Sequence, residues 1–326
     1  MKDDPVFESE ALREYISDVK SRIESELSNL CYGFSDLGLH PQIEYAVMSK
    51  GKRLRPTLVI LSAEAVEGNR DNVMSLALAF ELVHTATLVH DDIIDRDEVR
   101  RGIPALHRRW SVDDAILAGD ALIALSISLA SGYGEAVLKI VAESALHLCD
   151  GEHADTLYTN KLVDEKTYLK VIKDKSASLF KAAAYCGALV GGGSQSEVLS
   201  LADYGENLGI AYQLRDDLID LASAFGSISR LKKTPLTLPL IRLYETSQPS
   251  EKVKIEKDLE FLAEGNLHDC TTGKMLKMLK ESGAISYSRA LFAEYIRRSI
   301  ESLSCVRESD HKSFLIQIAK SLETAI

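Results

Sequence analysis

Along most of this chain, apolar residues recur at the three- and four-residue spacing that gives a helix one buried face. Between Asn72 and Asp95 the residues Leu76, Phe80, Val83, Leu88 and Ile94 fall in that register, and the segments 57–66, 167–189 and 197–221 read as helices too. Prolines stand only at positions 5, 41, 56, 104, 235, 239 and 249, so the 130 residues of 105–234 carry none. Proline removes a backbone donor and clashes inside a helix, and a long proline-free stretch suits a series of long helices. Gly191, Gly192 and Gly193 mark a turn between two of them. No segment shows the two-residue alternation of a half-buried strand. The pattern predicts an all-α fold, a single large bundle of helices around a central cavity. No linker rich in proline, glycine or serine divides the chain, and residues 1–326 are read as one domain.

Composition and charge remove several function classes. The 326 residues are 46% apolar and 27% charged, enough for a full globular core. With 38 basic and 49 acidic residues the net charge is −11, which speaks against a nucleic-acid or anionic-membrane binder. The longest apolar stretch, near 115–130, is interrupted by Asp114 and Asp120, so no membrane span is expected. The opening MKDDPVFESE carries acid where a secretory or transit leader needs basic residues, and a cytoplasmic location is expected. Five cysteines, Cys31, Cys149, Cys186, Cys270 and Cys305, are scattered and odd in number, suggesting neither a disulfide frame nor a zinc site.

Candidate chemistry sits in two acidic clusters. His90-Asp91-Asp92-Ile93-Ile94-Asp95 is answered 125 residues later by Arg215-Asp216-Asp217-Leu218-Ile219-Asp220. Residues i and i+4 share a helix face, so Asp91 pairs with Asp95 and Asp216 with Asp220. Like charges so close on an otherwise apolar helix call for compensating cations, and hard carboxylate oxygens suit Mg²⁺ shared with substrate phosphates. A solvated acidic surface is the plainer alternative for either cluster alone. A third element, Gly51-Lys52-Arg53-Leu54-Arg55-Pro56, sets three cations at a helix start, where they oppose the helix dipole unless an anion binds there. Arg100-Arg101-Gly102 adds positive charge just after the first cluster, and His84 lies two turns before Asp91 on the same helix.

Taken together, these segments resemble the trans-isoprenyl diphosphate synthases, or polyprenyl synthetases, over most of the chain. The likeness rests on 51–56, on 84–95 followed by 100–102, on Leu117-Ala118-Gly119-Asp120, on Lys175-Ser176 and on 209–220. It implies an isoprenoid-synthase fold, a homodimer, and the condensation of two small substrates, isopentenyl diphosphate and an allylic diphosphate. The allylic diphosphate ionises, the double bond of isopentenyl diphosphate attacks the cation, and the released diphosphate can take the proton. By resemblance, Asp91, Asp95, Lys175, Gln213 and Asp216 are catalytic. Asp91, Asp92, Asp95, Asp216, Asp217 and Asp220 serve Mg²⁺, three ions per site. Lys52, Arg55, His84 and Arg101 attend isopentenyl diphosphate with Arg53 beside them, Arg100, Lys175 and Ser176 attend the allylic diphosphate, and the Gln213 amide faces either the reacting carbons or the metal-bound phosphate.

The chain departs from the family pattern after the second cluster, where a shortened segment 221–234 leaves Arg230, Lys232 and Lys233 as candidates for the allylic phosphate, with at least one of the two lysines expected to reach it. Ser176 stands where threonine is common and Glu152 where glutamine is common. Ala86 and Thr87, both small, are expected to border the cavity for the growing chain, which points to geranylgeranyl or longer products. Two alternatives remain at this stage, a terpene cyclase and a non-catalytic partner subunit of a prenyl synthase. A cyclase has no need of the basic loop, and retention of every aspartate speaks against an inactive subunit.

Overall fold

The computed structural model describes residues 9–159, 161–224, 237–263, 275 and 277–323. Its first half runs α1 (Glu10–Tyr32), α2 (His40–Val47), α3 (Leu54–Ala65) and α4 (Arg70–Ile94). A short hairpin, β1 (Val99–Arg100) and β2 (Ile103–Pro104), leads into α5 (Leu106–Arg109), α6 (Val112–Ser131) and α7 (Glu135–Tyr158). The second half comprises α8 (Glu165–Ile172), a π-helical turn at Lys173–Ala177, α9 (Ser178–Val190) and α10 (Gln195–Ala224). After these come α11 (Leu238–Thr246), α12 (Pro249–Ala263), α13 (Ala284–Ser302) and α14 (Asp310–Ser321).

Helices α3, α4, α9 and α10 form the centre, with α3 packed on α4 and α9, α4 on α6, and α10 on α9 and α13. Helix α3 is buried nearly all round, from Pro56 through Ala65, as a central helix must be. Helix α4 starts where the Asn69 side chain accepts from the Asp71 amide, and it buries Val73, Leu76, Phe80, Val83 and Val89. Its polar end emerges from the core carrying the first acidic cluster, so burial of the apolar stripe fixes where those carboxylates lie.

Two local features differ from the sequence expectation. The hairpin pairs Val99 with Pro104 and Arg100 with Ile103, across a turn in which Arg101 and Gly102 have φ of 54° and 82°. Positive φ at both central residues is the tight-hairpin geometry, and strands of two residues are too short to show alternation. The periodic segment 167–189 is also not one helix, because the π-helical turn interrupts it. That turn is gripped from both sides: a Cβ on Gly151 of α7 would lie 2.2 Å from the Lys175 amide nitrogen, and one on Gly209 of α10 would lie 2.6 Å from Ala177 Cα. Glycine at both positions lets two helices close on the turn, which carries Lys175 and Ser176.

Candidate active site

The C-terminal end of α4, the hairpin, the 51–55 loop, α7, the π-helical turn and α10 supply the side chains singled out in the sequence. Asp91 and Asp95 remain on one turn, with the Asp95 amide donating to the Asp91 carbonyl at 2.8 Å. Burial, reinforced by Glu152, pushes the Asp91 carboxyl up to about 7. Burial does the same to Asp216, up to about 7, with Asp217 and Asp220 adding repulsion while Arg215 and Lys52 oppose it. Carboxyl groups raised this far lack enough positive charge around them, and cations would relieve both clusters.

The second aspartate of each cluster is engaged elsewhere. Asp92 is 3% exposed and accepts from Arg100 Nε at 2.6 Å, with the Arg100 Nη2 on the same oxygen. Asp217 accepts from Tyr168 Oη at 2.5 Å and from Gln213 Nε2 at 2.9 Å. Ser176 Oγ in turn donates to Gln213 Oε1 at 2.7 Å, so a chain of bonds fixes the amide orientation of Gln213. Asp92 and Asp217, which the resemblance placed in the metal set, are thus each held by side chains of the chain itself. Arg100, expected at a phosphate, is here the partner of Asp92 and lies 3.5 Å from Asp97.

Lys175 Nζ donates to Asp155 Oδ2 at 2.6 Å and to Glu152 Oε1 at 3.2 Å. Burial opposes its charge, but Asp155 and Glu152 outweigh that and raise its pKa. Glu152, itself raised by burial, acts on Asp91, and Asp155 acts on Asp217, so α7 links the two acidic clusters electrostatically. Asp155 and Tyr168 escaped the sequence reading. The i, i+3 spacing of Glu152 and Asp155 was a usable signal for a carboxylate pair facing a cation.

On the other side lies a basic patch. Arg55 Nη1 donates to His84 Nε2 at 3.0 Å, its guanidinium sits 4.7 Å from the centre of the Phe180 ring, and its Nε has no hydrogen-bond partner. Tyr212 packs on Phe180 with ring centres 5.7 Å apart. Burial holds His84 well below its usual range, and Arg55, Arg101, Arg53 and Arg100 all push in the same direction, so the imidazole is neutral. Arg101 reaches Ser49 Oγ at 3.4 Å, and Lys52 lies within electrostatic reach of Asp216. Arg53 differs from its neighbours in the motif. It is 3% exposed and bonded to Glu81 and to the Val47 and Ser49 carbonyls, so it holds the loop together, whereas Arg55 keeps an unpartnered nitrogen.

Thr87 lies one turn before Asp91 and is half-buried, with its hydroxyl donating to the His84 carbonyl at 2.8 Å. Ala86 is fully enclosed, and helical geometry turns it about 140° from Asp91. Lys232 and Lys233 lie outside the described residues. Asp220 is exposed at the end of its cluster.

A carboxylate-rich wall facing a patch of cations with an unsatisfied guanidinium nitrogen suits a ligand that carries diphosphate and brings its own cations. A family model for the polyprenyl synthetases matches residues 38–270. A short chain isoprenyl diphosphate synthase of Methanothermobacter thermautotrophicus is 33% identical over 319 residues, covering 94% of this chain and 95% of the other. A geranylgeranyl diphosphate synthase of Methanosarcina mazei is 35% identical over 293 residues, covering 86% and 88%. The crystal structure of geranylgeranyl pyrophosphate synthetase from Pyrococcus horikoshii superposes with a TM-score of 0.85 at 29% identity, covering 96% of this chain and 98% of that one.

Proposed function

This chain belongs to the polyprenyl synthetase family, and from that premise we propose that it joins isopentenyl diphosphate head to tail with an allylic diphosphate, yielding geranylgeranyl diphosphate or a longer polyprenyl diphosphate. The observation that carries this reading is the pairing of Arg55, whose enclosed Nε is short of an acceptor, with two carboxyl groups, Asp91 and Asp216, that burial raises to about 7.

Mg²⁺ fits the donor set, which is made of hard oxygens, and Asp91, Asp95, Asp216 and Asp220 are the residues that would hold it. Among the described residues no three acidic, histidine or cysteine groups converge on one ligation point. When bound, the ions supply positive charge to the diphosphate that leaves the allylic carbon; their number, three, is part of the proposal. The chain's own residues do the rest. Arg55, Arg101, His84 and Lys52 bind isopentenyl diphosphate, with Arg supplying forked contacts to phosphate oxygens. Lys175 moves between its carboxylate partners and the allylic diphosphate, and Gln213, oriented by Ser176 and Asp217, presents its amide to the reacting end. Lys232 and Lys233 complete the allylic side.

We also propose a homodimer in the cytoplasm. Helices α4 and α6 are both long and apolar enough to cross a membrane by length and composition. Helix α4 is a core helix, 72% buried over its apolar window, whereas α6 is 33% buried and exposes Val112, Ile116, Leu117 and Ile127. Asp120 stands 62% exposed midway along α6, where a membrane span would carry it into hydrocarbon. A second copy of the chain covers such a stripe at lower cost, and ultracentrifugation of the parent beside Ile116→Asp measures it.

Incubation of purified protein with labelled isopentenyl diphosphate and an allylic primer, with and without Mg²⁺, tests the activity. Longer, acid-labile diphosphates are expected. A hydrocarbon product would move the chain to the cyclases, and no product would make it a non-catalytic subunit.

A further inference from the structure

The 51–55 loop is fastened to α4 at two successive turns. Arg53 Nη1 donates to Glu81 Oε1 at 2.5 Å, and Arg55 Nη1 donates to His84 Nε2 at 3.0 Å, so the residue just before α3 and one in its first turn meet residues three apart on α4. Arg53 and Glu81 are almost completely enclosed, with side chains 1% and 2% exposed. The second arm of the Arg53 guanidinium gathers the Val47 and Ser49 carbonyls at 2.9 and 3.0 Å, drawing the end of α2 against the start of α3. Arg53 also has φ of 51°, a left-handed conformation that a residue with a side chain adopts only when its surroundings enforce it. Its carbonyl accepts from the Thr57 amide at 3.1 Å and the Thr57 hydroxyl at 2.7 Å, which locks the first turn of α3 onto the strained residue.

Burying an ion pair rarely adds stability over apolar residues of similar volume, so stability alone does not account for an Arg–Glu pair here. What the pair does is geometric. It holds the left-handed residue from which the chain turns to aim Arg55 over Phe180 and against His84. We propose that Glu81 is a positioning residue for the isopentenyl diphosphate half of the site, acting through Arg53 to set the aim of Arg55. This rests on the assignment of the basic loop to that substrate, made above. Glu81 touches no substrate. Glu24, 3.9 Å from Arg53 Nε and 41% exposed, is the other carboxylate near the guanidinium and makes neither of the bonds that shape the loop.

Steady-state kinetics and thermal unfolding of the full chain test the proposal with four variants. In Glu81→Ala the KM for isopentenyl diphosphate should rise about tenfold while that for the allylic primer and kcat stay within about threefold of the parent. Glu81→Gln, which keeps an acceptor for Arg53, should restore the KM to within about threefold of the parent. Should Glu81→Ala fail to fold, the double variant Arg53→Met, Glu81→Leu decides, because it removes the pair without leaving a buried charge. It should melt no lower than the parent and still show the raised KM. A lowered Tm with both KM values at the parental level marks a purely structural pair and overturns the proposal. So does a folded double variant with the parental KM. Arg55→Ala serves as reference: if it raises the KM and the Glu81 variants do not, positioning alone is refuted. If Arg55→Ala leaves the KM unchanged, the assignment of the loop falls and the positioning role with it.

Discussion

Arg100 and Asp92 are joined through two guanidinium nitrogens on a single carboxylate oxygen, and this bond ties the hairpin to the end of α4. Adjacent aspartates therefore have different work. Asp91 lies beside Glu152 with too little positive charge, whereas Asp92 is buried and neutralised.

Variants of the two residues should separate accordingly. Asp91→Asn is expected to abolish most turnover while raising Tm in EDTA, since it removes a repelled carboxylate. Arg100→Ala should lower Tm by leaving Asp92 enclosed without its charged partner, a loss of about 1.5–3 kcal/mol. Thermal scans in EDTA, run beside initial rates, check both, and equal Tm changes would contradict the division of labour.

The raised carboxyls make stability depend on pH. Asp91 and Asp216 are pushed up to about 7 and Asp217 to about 6, each above the roughly 4 of an unfolded aspartate. Across that window the folded chain holds protons that the unfolded chain has released, so these groups lower stability as pH rises. Glu197, held at about 2 by its bond to Arg307, acts with the opposite sign and only below about pH 4.5. Metal-free protein should melt higher at about pH 5 than at about pH 8, and added Mg²⁺ should raise Tm more at the higher value, where no proton competes. Unfolding in EDTA and in Mg²⁺ at both values measures this; a Tm in EDTA that rose with pH would refute it.

Product length should respond to α4 one turn before Asp91. Thr87 shares the face of Asp91, and a ring there narrows the space for the growing chain, each isoprene unit of which gains roughly 3–4 kcal/mol from burial. Thr87→Phe should shorten the products at little change in Tm. Ala86→Phe, at a fully enclosed position, should cost about 1–3 kcal/mol by overpacking. Chromatography of dephosphorylated products, with melting curves, distinguishes the two, and a Thr87→Phe variant with the parental profile would remove Thr87 from the cavity wall.

For the segment after α10, the double variant Lys232→Ala, Lys233→Ala should weaken the allylic primer selectively, because it removes charged hydrogen-bond donors to phosphate oxygens. Unchanged primer affinity would take both lysines out of the site.

Helical periodicity is local, so α3, α4 and α10 and the facing of Asp91 with Asp95 and Asp216 with Asp220 could be read from spacing alone. The resemblance of the basic loop and both acidic clusters to one family was likewise complete in the sequence. The tertiary structure alone decided which charges neutralise one another. Arg53 and Glu81 are 28 residues apart and Tyr168 and Asp217 are 49 apart, and only the packing of separate elements brings each pair together. The same holds for the π-helical turn, whose sequence reads as plain helix until Gly151 and Gly209 close on it from neighbouring helices. A charged residue in a motif states what it can bind; its burial and its partners, set by distant segments, determine whether it faces substrate or holds the residue that does.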